Sequence, residues 1–113
     1  FVGGMDGDYT FGICLGDIVG WDHSIYPEYN RIMGKAGIDY RYVIGNHDMT
    51  NWGRSFETSM KNYGDMYGPA WYSFNVGKVH YIVLNDNFYV GRDYFYIGYI
   101  DERQLRWLEK DLE

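Results

Sequence analysis

Two apolar runs, each cut off by a glycine and then by hydrogen-bonding side chains, constrain this chain more than any other feature. The first reads FGICLGD, Phe11 to Asp17, and the second reads YRYVIGNHD, Tyr40 to Asp48. Short apolar runs bounded by turn signals are the mark of buried strands. Glycine lets the backbone turn sharply at the strand end and lets the next side chain face the crevice beyond it. In α/β sheets that crevice is where ligands bind.

The remaining segments supply the helices and further strands. Ser24 is expected to cap a helix running through Met33, with Ile25, Tyr29, Ile32 and Met33 on its apolar face and Pro27 in its first turn. Gly34 and Gly37 end it. A weaker helix is expected over 54–63, with Phe56 and Met60 on one face and Gly64 as its stop. WYSFNVGKVHYIVLN, from Trp71 to Asn85, alternates as a β-hairpin around Gly77. DNFYVGRDYFYIGY, from Asp86 to Tyr99, has no period and reads as a long loop whose tyrosines cover the sheet edge. Arg92 and the tyrosine rings there are the groups a substrate rim would use. Asp101 caps a last helix, Gln104 closes a capping box, Ile100 staples onto Leu105, and Leu105, Leu108 and Leu112 form the stripe. The opening FVGGMDGDYT is loop, with Asp6 and Asp8 as solvated side chains rather than the start of a calcium loop. The order of elements is α/β, with a largely buried sheet in one domain without an internal boundary.

Composition removes several function classes. With 46% hydrophobic and 20% aromatic residues in 113, the chain can build a core and is not a disordered tail. A net charge of -6 provides no basic face, so no nucleic-acid surface is expected, and phosphate chemistry would need a bound metal to supply positive charge. The single cysteine, Cys14, excludes an internal disulfide and reads as a small core residue. No run is long enough to span a membrane. The chain begins at Phe1, which leaves the compartment open, a periplasmic or secreted setting being slightly favoured over the cytoplasm.

At the strand ends, Asp17 and Asn46 offer hard oxygen donors and His47 offers a group that changes protonation near neutral pH. The plain alternative is a turn in which Asn46 and Asp48 bond their own backbone. His23 reads as an exposed loop residue and His80 as a hydrogen-bonded core histidine on a strand face.

GD at Gly16–Asp17 followed by GNHD at Gly45–Asp48, with the later WYSFNVGKVHYIVLND and QLRWLEKDL, resembles the calcineurin-like metallophosphoesterases from Phe11 onward. The resemblance implies a β-sandwich flanked by helices, of which this chain is the central part. It implies a phosphomonoesterase or phosphodiesterase that uses two divalent ions (manganese, iron, zinc or magnesium). Asp17 would bridge the metals, Asn46 would ligate the second, and His47 would protonate the leaving group. In that chemistry two ions about 3.5–4 Å apart clamp the phosphoryl group while metal-bound hydroxide attacks in line. The substrate would be a small-molecule, lipid or nucleotide phosphoester.

The family's Asp-x-His and Gly-His-x-His motifs do not occur here, so the remaining ligands are expected outside this segment, which alone would bind metal weakly and be inactive. Several family branches orient the histidine with an aspartate three residues after the bridging one. That place is taken by Gly20, leaving Asp22 or Asp48 as substitutes. The competing reading is a non-catalytic module that keeps the fold and binds phosphate-bearing or carbohydrate ligands.

Overall fold

The two glycine-ended runs lie side by side. In a computed structural model describing residues 11–93 and 95–113, β1 (Gly12–Cys14) and β2 (Tyr40–Tyr42) pair in parallel, with Gly12 opposite Tyr40 and Cys14 opposite Tyr42. The expected loop over 1–10, with Asp6 and Asp8, lies outside the described residues. Each strand has only three residues, but Gly12 N–H to Asp39 C=O (2.8 Å) and Val43 N–H to Cys14 C=O (2.9 Å) lengthen the ladder at both ends.

The crossover between them is helical but starts later than its sequence suggests. Asp22, not Ser24, is the cap: its carboxylate accepts the Ser24 N–H at 3.1 Å and the Ser24 hydroxyl at 2.5 Å, opening a 3-10 turn over His23–Ile25. Helix α1 then runs Tyr26–Met33, with Pro27 in its first turn. The buried face is also turned from the expected one. Tyr26 is 2% exposed, whereas Ile25 and Ile32 are 45% and 52% exposed. Tyr26 wins the core because its ring has apolar company there and its hydroxyl finds a carboxylate, which an isoleucine cannot use.

The expected helix over 54–63 is two short ones, α2 (Phe56–Ser59) and α3 (Lys61–Tyr67), broken at Met60. Ser55 caps the first by accepting the Thr58 N–H. The chain leaves the second at Gly68 (φ 90°), so Gly64 lies inside a helix rather than ending one.

β3 (Tyr72–Val76) and β4 (Val79–Val83) form the expected antiparallel hairpin, with Gly77 at φ 60° in the turn. The aromatic segment expected as loop is instead a second hairpin, β5 (Asn87–Gly91) and β6 (Phe95–Gly98), with a register shift between Tyr89 and Gly91. That irregularity destroys the two-residue alternation by which a strand is recognised.

The described residues thus form a mixed α/β structure with three two-stranded sheets. Side chains tie the sheets together: the Tyr72 hydroxyl donates to Tyr42 C=O (2.6 Å) and Asn87 Nδ2 to Ile44 C=O (3.1 Å). Ile18, Val19, Tyr26, Ile44, Tyr63 and Ala70 form the core, with Cys14, Tyr29 and Tyr42 packed against it. A large side chain buried this way contributes roughly 1.5–3 kcal/mol.

Helix α4 (Glu102–Asp111) starts on Asp101, which accepts the Gln104 N–H. Gln104 does not close a capping box. It is buried and takes both backbone groups of Asn85, Oε1 accepting the N–H and Nε2 donating to the C=O, each at 2.7 Å. With Gln104 facing inward, Leu105 and Leu112 are left 51% and 64% exposed, so the leucine stripe is not the packed face. His80 is hydrogen-bonded but exposed: Nε2 lies 2.6 Å from Asp111 Oδ2 and Nδ1 2.6 Å from Asn75 Oδ1. No described helix is long and apolar enough to cross a membrane.

Candidate functional site

The loops after β1 and β2 meet at their backbones. Gly16 (φ 100°) and Asp17 (φ 49°) turn in the left-handed region, which glycine enters freely and aspartate tolerates. The turn lays Asp17 onto Gly45, where a Cβ would sit 2.2 Å from the Asp17 nitrogen and 2.3 Å from Asp17 Oδ1. From the other side, a Cβ on Gly16 would lie 2.9 Å from the Gly45 Cα. Both glycines are therefore needed by contact, and Gly16 by conformation as well.

Side chains then lock the approach. Asp17 Oδ1 accepts the His47 N–H at 3.0 Å, while Asp17 itself stays exposed. Asp48 is fully buried, and its carboxylate accepts the Gly45 N–H (2.8 Å), the Ile18 N–H (3.2 Å) and the Tyr26 hydroxyl (3.0 Å). One residue thus joins the first loop, the second loop and helix α1. Burial, followed by the neighbouring Asp48 charge and hydrogen bond, pushes the Tyr26 phenol well above its ordinary value, so it remains the donor of this bond.

His47 sits on the 3-10 turn Asn46–Asp48 and is held through its main chain, its C=O accepting from His23 Nε2 at 2.9 Å. Because a carbonyl only accepts, the His23 proton is on Nε2, and Asn62 Nδ2 donates to His23 Nδ1 at 3.0 Å. His23 also stacks on Tyr26, with ring centres 5.2 Å apart. It is a half-buried brace behind His47, not the free loop residue its position suggests. Asn62 lies 39 residues away, so no local sequence signal announces the pairing.

The His47 ring lies against Trp21, with centres 4.7 Å apart and planes 25° from parallel. Trp21 is 43% exposed, and Phe95 of β6 stands 5.6 Å from it. Neither aspartate suggested as an orienting partner is bonded to the His47 ring, since Asp22 is occupied by Ser24 and Asp48 by Ile18, Gly45 and Tyr26. The neighbour of the ring is Trp21, which sequence reasoning missed because an aromatic residue in a loop carries no positional signal.

Asp17 and the turn bearing Asn46 are therefore brought together, with His47 between Asp17 and Trp21. A carboxylate and an amide oxygen suit a hard divalent ion, but they are two donors where such an ion takes about four to six. Among the described residues no group of three or more His, Cys, Asp or Glu side chains gathers to hold one. Compared with protein-family models, curated proteins and solved structures, the chain matches none.

Proposed function

We propose that this chain is the central part of a calcineurin-like metallophosphoesterase domain, a helix-flanked β-sandwich, and that the complete protein hydrolyses phosphoric esters. The observation supporting this reading is the backbone-close meeting of Gly16–Asp17 with Gly45–Asp48, two motifs well separated in sequence that share one locked junction. A turn that served only to reverse the chain would not require a partner loop.

In this reading Asp17 and Asn46 hold divalent ions together with ligands from outside the 113 residues. When bound, such ions polarise the phosphoryl oxygens and acidify a water. The chain's own groups do the rest. Asp17 has Oδ1 fixed by the His47 N–H, which sets the direction of the carboxylate that would hold a metal. His47 gives a ring proton to the leaving oxygen as the P–O bond breaks and its electron pair passes to that oxygen. The water oxygen forms the new P–O bond and its proton goes to solvent, from which His47 is recharged.

The test is metal analysis and kinetics of the full-length protein on two esters of different leaving-group pKa. His47→Ala should lower turnover roughly 10²–10⁴-fold with metal retained, and less on the better leaving group. Asp17→Asn should lose metal and activity together. Full metal content in Asp17→Asn, or equal His47→Ala losses on both esters, would remove the respective role.

A further inference from the structure

We propose that Trp21 and Phe95 form a stacking subsite for the leaving group, which makes the preferred substrates phosphoesters whose leaving alcohol carries a neutral planar ring, such as aryl or nucleoside esters. The inference rests on the proposed role of His47 for its placement, but the subsite has a binding signature of its own.

The geometry carries it in three steps. An imidazole N–H points outward in the plane of its ring, so an oxygen that receives its proton lies in that plane. The plane of His47 runs 25° from parallel to the Trp21 indole at a ring separation of 4.7 Å, within the range of stacked aromatic pairs. A ring joined to that oxygen and lying in the same plane extends the layer that Trp21 already stacks. An indole is wider than an imidazole, and Trp21 is 43% exposed.

Phe95 supplies the second wall. Its ring is tilted 49° to Trp21 at 5.6 Å, and it stands edge-on to Tyr89 (6.1 Å) and Tyr96 (5.9 Å). Its backbone has φ 64°, a conformation rarely adopted by a bulky residue, and such outliers gather at ligand sites. The irregular hairpin turns an aromatic side chain toward Trp21 where an ordinary two-residue alternation would not oblige it to.

Charge narrows the ring to a neutral one. On a chain of net charge -6 each further anionic group on a phosphoester adds repulsion, whereas a base or phenyl ring adds none.

The experiment follows the Trp21 indole N–H by NMR in the full-length protein, assigned with Trp21→Phe, during titration with phenyl phosphate, adenosine monophosphate and glycerol phosphate. Both ring-bearing ligands should shift this resonance saturably. In calorimetric titrations Trp21→Leu, which keeps an apolar side chain but no π face, should weaken their binding about 10-fold, Trp21→Phe should retain most of it, and glycerol phosphate should be indifferent to the side chain at 21. Ring-dependent binding without release of inorganic phosphate in the presence of manganese or zinc would sink the esterase reading and leave the subsite standing. Hydrolysis of phenyl and glycerol esters with equal sensitivity to Trp21 would do the reverse. Absence of saturable binding by either ring-bearing ligand overturns the subsite.

Discussion

Asp48 and Asp111 perform the same task in different surroundings. Asp48 is fully buried and gathers two backbone N–H groups and a tyrosine hydroxyl from both strand-end loops and helix α1. Asp111, at the end of α4, gathers the Ser73 hydroxyl and His80 Nε2 from the first hairpin, each at 2.6 Å, and does so near the surface. In the interior no water can replace a lost partner, so every donor left behind costs its full desolvation. At the surface water fills in, and the clasp contributes little. The candidate site is thus built around the irreplaceable aspartate and the periphery around the replaceable one.

Asp48→Ala should break this comparison most severely. It orphans the N–H groups of Ile18 and Gly45 and the Tyr26 hydroxyl, and should cost roughly 3–5 kcal/mol in urea unfolding. A loss near that of an average surface change would mean that the loops are held together by something else.

Gly45→Ala should come next. The new methyl would be driven into the Asp17 backbone at 2.2 Å, and separating the loops should cost about 1–3 kcal/mol. Loss of the slowed amide exchange expected at His47 N–H, the donor to Asp17, would report the separation directly.

Asp111→Ala should have the smallest effect, lowering the melting temperature by a few degrees at most. Hydrogen bonds from Ser73 and then His80 outweigh desolvation and hold the Asp111 carboxyl below its ordinary 3.8. A depressed folded value means that the contribution is complete above that ordinary value and fades as pH falls through the lower folded one. The gap between wild type and Asp111→Ala should therefore close as pH falls below about pH 4. A gap that widened on acidification would contradict the sign.

Local chemistry was readable from sequence where it acts over a few residues. The β3–β4 hairpin around Gly77, the Asp101 cap and the strands ending in Gly16 and Gly45 all depend on near neighbours. What escaped depends on distant partners. Gln104 serves the distant Asn85 as well as the Asp101 cap of its own helix, and His23 is half-buried through Asn62. The β5–β6 hairpin hides behind a register shift and a positive φ at Phe95. For the candidate site, Asp17, Asn46 and His47 were visible as a motif, but the function of Asp48 as the knot and of Trp21 as the neighbour of His47 was not. Those two facts belong to tertiary contact alone.

The buried position of Asp48 also has a consequence for biosynthesis. Its donors Ile18 and Tyr26 precede it by 30 and 22 residues, so both leave the ribosome before their acceptor does. Until then water must serve the Ile18 amide and the Tyr26 phenol, and the Asp17 turn has no Gly45 to rest on. Closing loops of that length costs entropy which a three-residue ladder does not offset by itself. The junction should consequently form late and all at once, with the arrival of residue 48 as the trigger. A nascent chain stopped short of that residue would expose Tyr26 to chaperones, and its full shelter awaits Tyr63 and Ala70 of the same core.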